Sequence, residues 1–459
     1  MRMSAESGDE VIASLRIALL NDFGKADDFG KGANFRQLAA CLKSFLPFRK
    51  RAPIVQAPPG KPMILIPATT GSNLANLLPV AKEAWRRGLL GGIVAGESFQ
   101  KTRSEALAGF EHVVSETALR SLVGIGFLPK SLARASRRLK WLIEQLNQHD
   151  PHCAKLVKQN YGSYIRLMVL SEGMGIAYKK LLSAWRPSIM ISTSDFWPSE
   201  FQCCHQANQL GIPTAILQHG VISDLSVWPT YHNTFLAWGE MFRKELIQLG
   251  APANRIRVAG MPASDLLFAR SGQVTYKVGP TPVCLVLSHT QDRIEEVARF
   301  DEFGRCLAEA ICSMPGIKWK IRLHPAESDS FYRERGITEL NAVEIVSRDV
   351  SLEESIADAS VVCTIRSTAG TQAMMMRKPL LILHVPALSA PPVPWPMQGG
   401  GLYVKDATAI KTSFNRLVTD KAFADSLLAS QDAFLGKAFA CRGKAAAAIV
   451  DFLAETSLV

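Results

Sequence analysis

Two short stretches in the second half of the chain carry side chains suited to holding a phosphate. The first, Trp319-Lys320-Ile321-Arg322-Leu323-His324-Pro325, is an apolar strand-like run that delivers Arg322 and His324 to its carboxyl end, where open α/β sheets bind ligands. Pro325 has the fixed φ of a first helical residue, which would set His324 at a positive helix N-terminus beside Arg322. A histidine that only caps or packs is the competing reading. The second stretch, Arg366-Ser367-Thr368-Ala369-Gly370, follows the apolar run Val361–Thr364 and is read as opening a helix. Hydroxyl residues at a strand-to-helix turn, with backbone N–H groups left free there, make an anion cradle. Taken alone, Ser367 and Thr368 read as plain N-caps.

A third stretch would supply proton chemistry. Gln218-His219-Gly220 follows the apolar Thr214–Leu217, and a histidine at a strand end has the near-neutral pKa of a general base. A histidine that bonds only its own turn competes with this. Asp195, in Ser192-Thr193-Ser194-Asp195-Phe196-Trp197, ends the preceding strand. It would orient His219, act as the base itself, or cap the helix after Pro198.

The elements that must position these groups read as two α/β series. Met63–Pro67, a turn of Thr69, Thr70, Gly71, Ser72 and Asn73, a helix over 74–87 and an apolar 91–95 form a βαβ unit. Residues 104–185 are mainly helical. Strands at 188–192, 214–217, 235–238 and 255–259 follow, with a helix over 199–210. A break near 265–280 precedes strands at 283–287, 319–323, 343–346, 361–364 and 380–383. We therefore expect an N-terminal extension (1–60), an N-terminal Rossmann-like acceptor domain (61–270) and a C-terminal Rossmann-like nucleotide-sugar donor domain (271–459).

Length and composition agree, since 459 residues exceed one ordinary core and 47% hydrophobic against 20% charged residues allows two. The net charge of +11 favours anionic partners. Zinc-finger spacing and basic tracts interleaved with aromatics are both missing, which argues against nucleic acid. Basic residues gather at Lys130–Lys140 and at Arg49–Arg51. They read as a solvated face, or as a surface for anionic lipid or a phosphorylated acceptor. Nine scattered cysteines without a C-x-x-C pair fit reduced thiols. The apolar stretch 379–404 is broken by five prolines after Pro379 and by Gly399, Gly400 and Gly401, so it reads as a strand and loop rather than a membrane span. With no signal-like start, the expected location is cytoplasmic, with peripheral attachment to the inner face of the membrane as an extension.

The ordered set Gln218-His219-Gly220, Ala237-Trp238-Gly239, Val258 to Asp265, Arg322-Leu323-His324-Pro325, then Ser367-Thr368 before Lys378-Pro379 resembles bacterial surface-polysaccharide transferases of the GT-B fold. The His-Pro and Ser/Thr elements are similar to those of capsule and lipopolysaccharide Kdo transferases, bacterial sialyltransferases and teichoic-acid glycerophosphotransferases. The resemblance spans about residues 185 to 390. It implies two Rossmann-like domains facing each other across a cleft, a CMP-activated donor of Kdo or a related acidic sugar, and a surface glycan or lipid-linked acceptor. By that resemblance His324, Ser367 and Thr368 hold the nucleotide phosphate, with Arg322 and Arg366 beside them, and His219 is a candidate base. The acidic base motif of some sialyltransferases is missing, and Asp195 is the substitute.

Glycosyl transfer needs a base for the acceptor hydroxyl, a charge sink for the departing phosphate and exclusion of water. The chain has no Asp-x-Asp pair, so no metal and no other cofactor is expected. Three alternatives stay open: a CDP-glycerol-type glycerophosphotransferase, a nucleotide-sugar 2-epimerase, and a non-catalytic GT-B scaffold.

Overall fold

The computed structural model describes residues 63–96, 106–195, 198–220, 222, 231–271, 276–288, 294–324, 327–365, 367–384 and 396–456. The expected extension over 1–60, with Arg49–Arg51, lies outside them. The chain forms two compact units. The first takes the described residues up to Trp238, Arg243–Ala263 and the segment from Lys444; the second takes Gly239–Phe242 and Ser264–Gly443.

The first unit is built on seven parallel strands: β1 (Ile64–Ala68), β2 (Leu90–Ala95), β3 (Val113–Ser115), β4 (Ile189–Ser192), β5 (Thr214–Leu217), β6 (Thr234–Ala237) and β7 (Ile256–Val258). Their order is β3-β2-β1-β4-β5-β6-β7, so the winding reverses between β1 and β4. In open α/β sheets ligands bind outside the carboxyl ends at such a reversal. Side chains alternate between the faces, as a pleated strand requires. Leu65, Val94 and Met190 enter one core, while Ile64, Ile66, Ile93, Ile189 and Ile191 enter the other.

Helix α1 (Gly71–Arg86) covers the second face through Leu77, Val80, Ala81 and Ala84. Between β3 and β4 come α2 (Glu116–Ser121), α3 (Leu128–His149), α4 (Pro151–Gln159) and α5 (Tyr161–Trp185). Asp150 separates α3 from α4, capping α4 by accepting the Cys153 N–H at 3.0 Å ahead of Pro151. Helices α6 (Pro198–Gln209) and α7 (Glu240–Gln248) complete the series.

The second unit repeats the winding with six parallel strands: β8 (Val283–Leu287), β9 (Lys318–Arg322), β10 (Val343–Ile345), β11 (Val361–Thr364), β12 (Leu380–Leu383) and β13 (Leu402–Val404). The order β10-β9-β8-β11-β12-β13 reverses between β8 and β11. Its helices are α8 (Asp265–Ser271), α9 (Ile294–Ser313), α10 (Ser330–Glu334), α11 (Leu352–Asp358), α12 (Ala369–Met375), α13 (Ala407–Thr419) and α14 (Lys421–Ala438). Phe303, Leu307 and Ile311 of α9 and Ile410, Phe414 and Leu417 of α13 pack on Cys284, Val286, Trp319, Ile321 and Cys363 of the sheet.

Two features depart from the sequence reading. The border expected at residue 270 falls at Ala263. The last helix, α15 (Ala445–Thr456), belongs to the first unit, where Ile449, Val450 and Leu453 join the α1 core and Asp451 pairs with Arg87. Chain order gives no sign of such a return.

Candidate active site

At the carboxyl edge of the first sheet, the turn from β1 into α1 is fixed by hydroxyl groups. Thr70 caps α1 by accepting the Asn73 N–H at 3.2 Å. Thr69 turns to Glu200 in the first turn of α6: its N–H donates to Oε1 at 3.0 Å, and its hydroxyl donates to the same oxygen. Asn73 Nδ2 adds a third bond to that oxygen at 2.9 Å. Glu200 is fully buried, and its Oε2 has no hydrogen-bond partner among the described residues. Burial pushes its pKa up to about 7, against the downward pull of Thr69 and Asn73. A Cβ at Gly96 would lie 1.8 Å from the Thr69 carbonyl oxygen, so only glycine lets the exit of β2 pass this turn.

His219 stands on the same edge, two residues past β5, and is exposed. Gln218 pins its loop, accepting the Trp238 N–H at 2.9 Å and donating to the Gly220 carbonyl at 3.0 Å. Gly220 turns the chain there at φ +83°. Desolvation by the protein around the ring lowers the His219 pKa. Asn76 of α1 places its amide nitrogen 3.1 Å from Nδ1. An amide donating there leaves the proton of the neutral imidazole on Nε2, which has no partner among the described residues. A half-turn of the amide would reverse the tautomer.

Asp195 does not meet His219 among the described residues. It is buried, its Oδ2 accepts the Tyr231 N–H at 3.4 Å, and the same oxygen lies 3.8 Å from Nδ1 of the buried His232. His232 Nε2 lies 3.0 Å from Ser192 Oγ, and that hydroxyl donates to the Ser194 carbonyl. Burial opposes charging of His232, but Cys204 and the Asp195 carboxylate outweigh it and raise its pKa to about 10. Ser192, Asp195 and His232 thus form an internal polar cluster holding the β4 exit.

In the second unit, Ser288 follows β8 and lies buried between Glu327 and Tyr332, donating to Glu327 Oε1 at 2.8 Å. Glu327 Oε2 accepts the His324 N–H at 3.1 Å, and the Glu327 N–H returns a bond to the His324 carbonyl at 2.9 Å. His324 is exposed at this turn. The helix expected directly after it begins only at Ser330 and runs five residues. A buried carboxylate therefore occupies the backbone donor of His324, where a helix start was anticipated. Arg322 sends Nη1 to the Val350 carbonyl at 2.7 Å and to Ser355 Oγ at 3.0 Å, bracing the loop before α11.

The Ser/Thr turn after β11 is more economical than the cradle expected. The Ser367 N–H bonds Thr364 Oγ1 at 3.3 Å, and the Ala369 N–H bonds Ser367 Oγ at 3.3 Å. The N–H groups of Gly370 and Thr371 reach back to the carbonyls of Ser367 and Thr368. Thr368 remains: neither its N–H nor its hydroxyl has a partner among the described residues, and it is half-buried. Arg366 and Pro325 lie outside the described residues. Lys378 is buried, with Nζ on the carbonyls of Ala357 at 2.8 Å and Ala359 at 2.7 Å, closing the end of α11.

No family model and no curated protein sequence matches the chain. Solved structures do. The UDP-GlcNAc 2-epimerase from Neisseria meningitidis bound to UDP-GlcNAc aligns at 14% identity and a TM-score of 0.56, covering 86% of this chain and 100% of that one. The two-unit fold is of the GT-B type. A UDP co-structure of S. aureus MnaA aligns at 13% identity and 0.56, over 86% and 96% of the two chains. The Methanocaldococcus jannaschii UDP-GlcNAc 2-epimerase in complex with UDP-GlcNAc and UDP aligns at 14% and 0.54, over 86% and 100%. Shared winding at such low identity is a likeness of fold. None of these matches is a Kdo transferase or a sialyltransferase.

Proposed function

We propose that this protein is an enzyme acting on a nucleotide-activated sugar, with the nucleotide phosphate taken by Thr368 and Ser367 beside the β8/β11 reversal. The observation that carries the reading is that Thr368, at the switch point of a parallel sheet, has an N–H and a hydroxyl without a partner among the described residues. Thr368→Val keeps the shape and removes the hydroxyl. A hydrogen bond to a charged group contributes about 1.5 to 3 kcal/mol, so nucleotide affinity should fall by roughly ten- to a hundredfold in isothermal titration. Unchanged affinity would move the phosphate elsewhere.

For the reaction, 2-epimerisation has the stronger support, because the two UDP-GlcNAc 2-epimerases share the architecture along their whole length. Inverting a carbon centre calls for groups that take and return a proton. His219 and Glu200, on one sheet edge, have pKa values displaced in opposite directions, lowered and raised. Glycosyl transfer is the second reading. It rests on the exposed His219, which alone would serve an acceptor hydroxyl, and on the motif order from Gln218 to Pro379.

Incubation of UDP-GlcNAc in deuterated water without acceptor tests the choice. An epimerase should give a second sugar isomer with solvent deuterium at C2, followed by proton NMR. A transferase should leave C2 untouched and release nucleotide only when acceptor is added. Thermal shifts with CMP, CDP, UDP, GDP and dTDP identify the nucleotide, since a ligand at a hundred times its Kd stabilises by about 2.7 kcal/mol. A dominant UDP shift fits the epimerase reading, and a dominant CMP shift would restore the CMP-sugar donor.

A further inference from the structure

One helical segment that neither sheet needs for its strands carries a large net positive charge. From Leu128 to Arg186, covering α3, α4 and α5, there are eleven Lys/Arg and three Asp/Glu, a surplus of eight within a chain total of +11. Helix α3 buries Leu128, Ser131, Ala135, Leu139 and Ile143. Its opposite side carries Lys130, Arg134, Arg137 and Trp141, spaced i, i+4, i+7 and i+11, which places all four on one face. The stripe is about 16 Å long at the helical rise. Trp141 is 40% exposed there, one of the few large apolar side chains at the surface.

The basic side chains of this face are poorly neutralised by the protein itself. Arg134 pairs with Glu172, but Lys130, Arg137 and the neighbouring Lys140 form no ion pair among the described residues.

We propose that the α3 face is a docking surface for a membrane bearing anionic phospholipid headgroups, with Trp141 seated at headgroup depth. The unmatched charges along one helix face complement a sheet of phosphates. An indole between them presents an apolar body and a polar N–H, the chemistry of a membrane–water boundary. A single-stranded nucleic acid would instead call for a series of aromatic platforms, and this face has one. No described helix is long and apolar enough to cross a membrane, so attachment would be from the surface.

The test uses the full chain and vesicle sedimentation. The protein should pellet with phosphatidylglycerol-rich vesicles and stay in solution with phosphatidylcholine vesicles. Raising salt from about 0.1 M to about 1 M shortens the screening length from about 10 to about 3 Å and should release it. The triple change Lys130→Glu, Arg137→Glu, Lys140→Glu should lower partitioning by on the order of a hundredfold or more, with an unchanged thermal melt because all three point away from the core. A neutral Lys130→Gln, Arg137→Gln, Lys140→Gln set serves if the reversal disturbs the helix. Trp141→Ala should weaken binding to the same vesicles and leave its salt dependence in place. Equal binding to phosphatidylcholine, unchanged partitioning in a folded triple variant, or tighter binding of a single-stranded oligonucleotide than of anionic vesicles would overturn the proposal.

Discussion

Glu200→Gln should open a stability gap over the wild type that is small near pH 4.5 and reaches about 3 kcal/mol by pH 8. The folded-state pKa of about 7 stands above the carboxyl's ordinary 4.5, so between these values the folded protein holds a proton that the unfolded chain has released. Stability therefore falls as pH rises through this window. Each unit of displacement corresponds to about 1.4 kcal/mol, which sets the size of the gap. Glutamine copies the protonated state: its oxygen still accepts from Thr69 and Asn73, and no charge is left at the buried position of Oε2. Urea unfolding at several pH values reads the gap directly. Parallel pH profiles for the two proteins would mean that Glu200 is ionised without cost in the fold.

The strands most legible in the sequence are short apolar runs inside the sheets. Runs such as Ile189–Ser192, Thr214–Leu217 and Leu380–Leu383 are short, apolar and wholly buried, because a parallel sheet covered by helices leaves no polar side. The two strands missed, β3 and β13, are three-residue edge strands that are only partly buried. Edge position alone does not explain this, since β7 and β10 are three-residue edge strands too and were legible; Leu402–Val404 lies at the end of a Pro- and Gly-rich run.

The site was legible to a smaller degree. Motif order located the carboxyl edges, and His219, Ser367 and Thr368 do sit there. The partners of each polar group were not legible, because they come from distant segments. Asp195 is held by His232, Arg322 by Val350 and Ser355, and the His324 N–H by Glu327. Glu200 was passed over because an acidic residue in a helix's first turn ordinarily faces solvent and the positive helix end. The one local signal was the hydroxyl-rich Thr69-Thr70 turn, whose donors require an acceptor.

His219→Ala should lower turnover by roughly a hundred- to ten-thousandfold, the range for loss of a general acid or base, with nucleotide affinity unchanged. The side chain is exposed on the carboxyl edge of the first sheet, while the phosphate-binding hydroxyls proposed here belong to the second unit. His219→Gln retains a hydrogen-bonding group without a titratable ring, so a rate as low as that of the alanine variant would assign proton transfer rather than mere contact. The pH profile gives an independent check. Desolvation lowers the His219 pKa from its ordinary 6.5, so the ring is neutral at pH 7 and becomes charged only as pH falls through that lowered value. An acid limb in kcat/KM should therefore lie below pH 6.5 in the wild type and vanish in the residual activity of the glutamine variant. Asp195→Asn makes the contrast. Removing one charge of a buried pair typically costs about 3 to 5 kcal/mol, so it should appear as a lowered melting temperature, with turnover per folded molecule largely kept. If Asp195→Asn abolished turnover in a fully folded protein while His219→Ala left it intact, the proton-transfer group would be Asp195, and the exposed histidine would have no part in the chemistry.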